Sequence, residues 1–211
     1  SGNWCGSVSA DKRSCSGAGA APSGAHVIYF DNTCSSAFSC SPTTPSNISV
    51  AGIRISANGF TQGAGFGLAI GSSGWTQTGG SFTGSNASIQ FSNSSLMLSS
   101  TGSFTSTSGT LSIAGGTLSV NNNFAHNNGT VSLNTSTYTF TSASDFYNLS
   151  FGIWTAHAIS LSSNIIVRNA LTLFGAGNLS GYQIDVYGDV SSTKTNSGTT
   201  KVRLVGSNNQ S

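Results

Sequence analysis

Hydrophobic residues alternate with small polar residues in short runs along most of the chain. In 110–114, Leu111 and Ile113 alternate with hydroxyl residues, and Val131 and Leu133 repeat the pattern one block later. Alternation with period two places the apolar side chains on one side of a β-strand. No stretch of ten or more residues has apolar positions at helical spacing. The pattern predicts an all-β protein with essentially no helix.

Similar alternating sequence blocks recur about every 21 residues, a regular period that is typical of repeat architectures. Each block combines a Phe, a Gly or Asn corner and two alternating apolar residues, and one period has room for about three short strands. The four block-opening residues are Phe60, Phe82, Phe104 and Phe124. Three strands per period without helical crossovers predict coils stacked in parallel, a parallel β-helix (β-solenoid) with these Phe side chains as an internal stack. A β-sandwich is the alternative, but it gives no reason for the Phe period.

The chain divides into two regions by composition. Residues 1–45 hold all four Cys residues and one strand candidate, His26–Phe30. We predict that 1–45 form an N-terminal cap over the strand edges of the first coil. We assign 46–211 to solenoid coils, about eight of them in a rod of about 40 Å. The final run resembles a strand and corner cut in mid-coil, so we expect the stack to continue beyond residue 211 or onto another subunit.

The cysteines favour disulfides over a metal site. Cys5, Cys15, Cys34 and Cys40 match no zinc-ligand spacing, and no His follows at ligand distance. Pairing of Cys5 with Cys15 and of Cys34 with Cys40 is the simplest of three connectivities. Disulfides indicate an extracellular or periplasmic protein.

Composition excludes several classes of function. Charged residues make up 6% of the chain, against about 25% in an ordinary domain. A net charge of +2 without a basic cluster predicts no nucleic-acid partner. No apolar run approaches the ~18 residues of a membrane span, so we expect none. Recurring β-branched and aromatic residues argue against disorder.

The chain contains few residues that could carry out catalysis. The chain has no Glu, and only Asp185 and Asp189 form a close carboxylate pair, which we assign to a solvent-facing position and a turn. None of the three His residues has a partner carboxylate in sequence, and the "GSSGW" run at 71–75 only partly resembles a nucleophile elbow. We predict no catalytic residue, no metal and no cofactor.

Aromatic side chains offer a more plausible binding function. Exposed Trp and Tyr rings stack on sugar faces and present a polar edge. The candidates for glycan binding are Trp75, Trp154, Tyr147 and Tyr187. For the two Trp residues, packing or corner filling is the alternative.

Several longer runs resemble a known group of proteins. "HNNGTVSLN" (126–134), "DFYNLSF" (145–151) and the alternating run over 159–190 resemble the repeat of large secreted bacterial β-solenoid proteins, and "VIYFDNT" (27–33) is similar to a strand near their start. The resemblance implies a right-handed parallel β-helix, exported to the cell surface or medium, in adhesin-like or matrix-like proteins. It implies no catalytic residue. The Cys-containing loops depart from the pattern.

Together these features predict a non-enzymatic, extracellular structural or adhesive β-solenoid, part of a bacterial surface adhesin or an extracellular fibre. One alternative is a self-assembling filament subunit of an extracellular matrix, with copies of the chain as partners. Another is a polysaccharide-binding or polysaccharide-degrading β-helix protein, with surface glycans as partners.

Overall fold

The fold consists of β-strands, as the sequence pattern predicts. The computed structural model describes residues 5–8, 15–18, 22–31, 42–99, 101–120, 123–134, 138–140, 144–152, 158–174, 178–193 and 198–206. Within these ranges there is no helix, and the all-β prediction is confirmed. In chain order the strands are Cys5–Val8 (β1), Cys15–Ala18 (β2), Val27–Phe30 (β3), Ile48–Ile55 (β4), Gly59–Thr61 (β5), Leu68–Gln77 (β6), Ser81–Thr83 (β7), Ile89–Ser92 (β8), Leu96–Leu98 (β9), Ser103–Thr105 (β10), Thr110–Ala114 (β11), Leu118–Ser119 (β12), Phe124–Ala125 (β13), Thr130–Asn134 (β14), Tyr138–Phe140 (β15), Ser144–Gly152 (β16), Ala158–Leu161 (β17), Ile165–Phe174 (β18), Asn178–Gly181 (β19), Gln183–Val186 (β20), Asp189–Ser192 (β21) and Lys201–Leu204 (β22).

Three strand faces surround one interior, and the chain visits them in the same order in every coil. The first face contains the starts of β4 and β6, then β8, β11, β14, the ends of β16 and β18, and β21. The second face contains β3, the ends of β4 and β6, β9, β12, β15, β17 and β19. The third face contains β5, β7, β10, β13, the starts of β16 and β18, β20 and β22.

Neighbouring coils pair in parallel, most strands with their equivalent one turn further on. Among the described strands, β12 and β15 on the second face, and β13 and the start of β16 on the third, are in contact without ladder pairing. Leu68 pairs with Ile89, and Ile89 with Leu111. The coils recur about every 21 residues and make about seven turns of a parallel β-solenoid. The predicted period is confirmed, whereas the expected eight coils are about seven. At a strand spacing of about 4.8 Å, seven turns span roughly 35 Å.

The interior is filled by rows of apolar side chains that run along the stack. On the first face, period-two alternation turns every second residue inward. One inward row contains Ile48, Leu68, Ile89, Leu111, Val131, Leu149 and Leu171, all buried. Because each residue of the row packs on its equivalents in the neighbouring coils, the core is continuous along the solenoid.

The block-opening phenylalanines form one column in this core. Phe60, Phe82, Phe104 and Phe124 are in register on the third face and are buried. Successive ring centroids lie 4.9, 4.9 and 5.8 Å apart, distances at which aromatic pairs are attractive. The column continues to Phe30 at one end and Phe146 at the other. The sequence period is thus the period of an aromatic stack.

Strand β3 and Thr43, in the region predicted to be the N-terminal cap, pair with strands of the first coil. Strand β3 pairs in register with the second half of β4, so that Ile28 lies opposite Ile53. Thr43 forms a parallel bridge with Thr61. The region assigned to a cap therefore contributes strand pairing to the first coil.

The pairing of the first two strands can be compared with the predicted Cys5–Cys15 disulfide. β1 and β2 are antiparallel, with Cys5 opposite Ala18 and Cys15 opposite Val8. Three residues along a strand separate the two Cys positions, about 10 Å, whereas a disulfide needs Cα atoms about 4.4–6.8 Å apart. This register disagrees with the predicted Cys5–Cys15 bond, and Cys34 and Cys40 lie outside the described residues.

The early coils have an almost uncharged surface. Arg54 is the only charged residue between 42 and 144, and its guanidinium donates to the Gly74 and Ser73 carbonyls at 3.0 and 2.8 Å.

Across the part of the chain that the structure describes, no helix is long and apolar enough to cross a membrane.

Candidate functional site

Polar and aromatic side chains lie close together at the corner between the third and first faces. Strands β16 and β18 continue from the third face to the first across this corner without a break. The register shifts there: Phe146 pairs with Val167, whereas Asn148 pairs with Ala170. One strand therefore carries an extra residue, which widens the corner and turns side chains away from the ladder. Tyr147 lies at this shift and is partly exposed.

Four residues occupy this corner in successive coils and are called the corner column: His126, Tyr147, Arg168 and Tyr187. The His126 and Tyr147 ring centroids are 5.7 Å apart with a tilt of 31°. The Arg168 guanidinium carbon lies 5.1 Å from the Tyr187 ring centroid, within cation–π distance. The column therefore presents one planar side chain per coil along the solenoid axis.

An ion pair holds the arginine of the column in place. Arg168 Nε donates to both carboxylate oxygens of Asp145 at 2.9 Å, and Nη2 donates to one of them. These hydrogen bonds raise the pKa of Arg168 above its usual value, against a smaller opposing effect of burial. Because the pair joins adjacent coils and leaves Nη1 free of protein acceptors in the described structure, the guanidinium is both positioned and able to donate.

A second ion pair lies on the third face beside the column. Arg203 Nε and Nη2 donate to the two oxygens of Asp185 at 2.8 and 2.6 Å, and Gln183 Nε2 donates to the same carboxylate at 2.5 Å. The hydrogen bonds from Arg203, and to a lesser degree from Gln183, lower the pKa of Asp185. Asp185 faces outward, as its alternation predicts, and its carboxylate is engaged by an arginine of the next coil.

A row of amide side chains borders the column on the first face. Asn169 Nδ2 donates to Asn148 Oδ1 at 2.7 Å, and Asn148 Nδ2 donates to Thr130 Oγ1 at 3.3 Å. The column therefore lies between carboxylate–guanidinium pairs on one side and amide and hydroxyl groups on the other.

The structure places the predicted glycan-binding residues in different environments. Tyr147 and Tyr187 belong to the corner column. Trp75 is 1% exposed and packs between the rings of Phe60, Phe82 and Phe104, so its assignment to a surface site is wrong. Trp154 lies outside the described residues.

His126 and Arg168 contact these tyrosines, and Asp145 pairs with Arg168, but the sequence prediction of the site does not include these three residues. A signal was present, because His126, Tyr147 and Arg168 follow one another at the coil period. Residues at one period stack along the axis of a solenoid. Alignment of the surface residues on the period set by the phenylalanines would have brought the column together.

Other surfaces have less chemistry to offer. An open groove of about 420 Å³ has no charged or aromatic side chain in its lining, which consists of Asn47, Ile48, Ser49, Gly65, Gly67, Leu68, Ala69, Ala87, Ser88 and Gln90. Among the described residues, no three His, Cys, Asp or Glu side chains are grouped so that they could hold a metal ion.

Comparison with known proteins adds no relatives to this picture. No protein-family model matches the chain, and neither a curated protein nor a solved structure is significantly similar to it.

Proposed function

We propose that this chain is a non-enzymatic, extracellular β-solenoid, a stiff structural and adhesive element of a bacterial surface adhesin or an extracellular fibre. The observation that supports the proposal is the unbroken parallel stack of about seven coils around one apolar core. On the first face each coil is hydrogen-bonded to the next from β4 to β21, so bending or stretching would break many bonds together.

The outer surface supports the same proposal. In the early coils it presents uncharged hydroxyl and amide groups, such as Thr61, Thr83 and Thr105 in register on the third face. Many weak contacts of this type can bind tightly together through multivalency, so that no single deep pocket is needed. A long stack displays them at fixed intervals, which suits attachment to a repetitive surface.

Immunogold electron microscopy of the source organism tests this proposal. Antibody against the purified chain should label structures outside the cell. Labels at single points on cell-attached rods would indicate an adhesin, and labels repeated along continuous filaments would indicate a fibre or matrix subunit. Gold confined to the cell interior would contradict both.

A further inference from the structure

We propose that the corner column binds a neutral, extended polysaccharide whose chain lies parallel to the solenoid axis. The inference rests on the proposed adhesive function and gives it a ligand class. Its starting point is a periodic array of planar side chains with polar tips, one in each of four successive coils: His126, Tyr147, Arg168 and Tyr187.

The outward tips of the column are available to a ligand. Neither phenol oxygen has a hydrogen-bond partner among the described residues. His126 Nδ1 accepts from the Asn128 backbone N–H at 2.9 Å, which assigns the ring proton to Nε2 and leaves that nitrogen as a donor. Together with Arg168 Nη1, the column offers at least one free polar group per coil.

The neighbouring groups suit a ligand that is rich in hydroxyls. A hydroxyl both donates and accepts, and the column is bordered by acceptors on Asp145 and Asp185 and by the amides of Asn148 and Asn169. The outer edges of the Tyr rings, one face of which is directed at a neighbouring member of the column, add apolar area beside these groups. Such a combination of aromatic surface and hydrogen-bonding groups is typical of carbohydrate recognition.

Charge balance selects a neutral ligand. The arginine of the column and the arginine beside it are each paired with an aspartate, Arg168 with Asp145 and Arg203 with Asp185. A polyanion such as a uronic-acid polymer or a nucleic acid would gain little from guanidinium groups that are already neutralised, and binding by charge requires basic groups without acidic partners.

The spacing of the coils sets the orientation of the ligand. Neighbouring strands are about 4.8 Å apart, close to the advance of an extended β-1,4-linked glycan per sugar unit. A glycan lying along the axis would therefore meet one planar side chain per sugar. Affinity should rise with chain length to about four sugar units, one for each coil of the column, and then level off.

Affinity electrophoresis of the purified chain in gels containing hydroxyethylcellulose tests the site. We expect the wild type to be retarded, and Tyr187→Ala and Arg168→Ala to weaken binding about tenfold each, as expected for the loss of one good aromatic or hydrogen-bonded contact. Tyr182→Ala is the matched control, because Tyr182 is 54% exposed in the same coil but at a different corner. It should bind like the wild type.

Further measurements separate binding from folding and from location. Tyr187→Phe keeps the ring and should lose less affinity than Tyr187→Ala, and circular dichroism should show an unchanged fold. Cello-oligosaccharides from dimer to hexamer test the chain-length dependence by calorimetry. An absence of wild-type retardation, equal weakening by Tyr182→Ala, or stronger binding to polygalacturonate would overturn the site. None of these results would alter the extracellular labelling on which the proposed function depends.

Discussion

The phenylalanine column is the part of the core in which one side chain matters most. Phe104 is 1% exposed and contacts the rings of Phe82, Phe124 and Trp75. Phe104→Ala should lower the free energy of unfolding by about 3–5 kcal/mol, because it removes buried area and leaves a cavity between coils. Urea denaturation measures the change.

Phe174→Ala is the control for this substitution. Phe174 is 48% exposed, so the same chemical change should cost about 0.5 kcal/mol or less. Equal losses of unfolding free energy in Phe104→Ala and Phe174→Ala would mean that the phenylalanine column does not contribute specially to the stability of the core.

Asp185 should make stability depend on pH in the acid range. The hydrogen bonds from Arg203 and Gln183 lower the pKa of Asp185 in the folded chain below its unfolded value of about 3.9. The contribution is therefore present above about pH 4 and is lost as the pH falls through the folded-state pKa. The melting temperature of the wild type should exceed that of Asp185→Asn near neutral pH, with the difference shrinking towards about pH 2.

Asp189→Asn serves as the comparison, since Asp189 is exposed and forms no ion pair among the described residues. It should match the wild type at both pH values. A gap between wild type and Asp185→Asn that persists unchanged in acid would show that the carboxylate charge is not the cause.

Trp75 shows why residue-level prediction from alternation reaches a limit. Leu68 and Ile70 point inward at the start of β6, and counting by two would place Trp75 outside. Gly74, with φ of 67°, turns the chain at the corner inside the same strand and reverses the parity. Because the corner lies inside one strand and no loop marks it in the sequence, period-two counting alone could not choose between the surface and the packed position that the sequence leaves open for Trp75.

At the scale of the elements, close contact between coils requires glycine at particular positions. A Cβ atom on Gly59 would overlap the carbonyl oxygen of Ser81, which follows it on the third face. Gly59→Ala should therefore force the coils apart or twist the strand, at a cost of about 1–3 kcal/mol. Thermal and urea unfolding measure the loss.

Gly67 provides the matched glycine. Its added Cβ would find its nearest atom, the Ser88 carbonyl oxygen, at 3.5 Å, and its φ is not in the left-handed region. Gly67→Ala should stabilise the chain by up to about 1 kcal/mol, because the unfolded chain loses freedom. If both variants lose stability equally, coil spacing is not the reason for glycine at position 59.

Strands and their period could be predicted from sequence because both depend on local alternation. The core row through Leu111 and Val131 and the Phe column follow from that pattern alone. The strand β3 lies within the predicted strand candidate His26–Phe30, but its register with the second half of β4 could not be predicted, since residues 32–41 after β3 contain no repeated block. The corner column follows the coil period at His126, Tyr147 and Arg168, but period-two counting does not show the register shift between β16 and β18 at which it lies.

At the scale of the whole molecule, charge is distributed unevenly. Residues 42–144 contain one charged side chain, whereas the later coils carry ion pairs between neighbouring turns. Parallel in-register stacking is compatible with both arrangements, uncharged rows and paired opposite charges, but not with rows of like charges. Identical charges in one outward row would lie one strand spacing apart, about 4.8 Å, and repel one another, whereas alternating signs attract.

Charges placed on the neutral face can test this explanation. Thr83 and Thr105 are directly paired outward residues on the third face. In a double-mutant cycle, Thr83→Lys combined with Thr105→Lys should be less stable than the sum of the single changes by up to about 1 kcal/mol. Thr83→Lys combined with Thr105→Asp should be more stable than its sum. Both coupling energies should shrink as salt is raised from low to about 1 M, because screening shortens the range of the interaction. If the two coupling energies have the same sign, or do not change with salt, repulsion between stacked like charges is not the reason for the low charge of these coils.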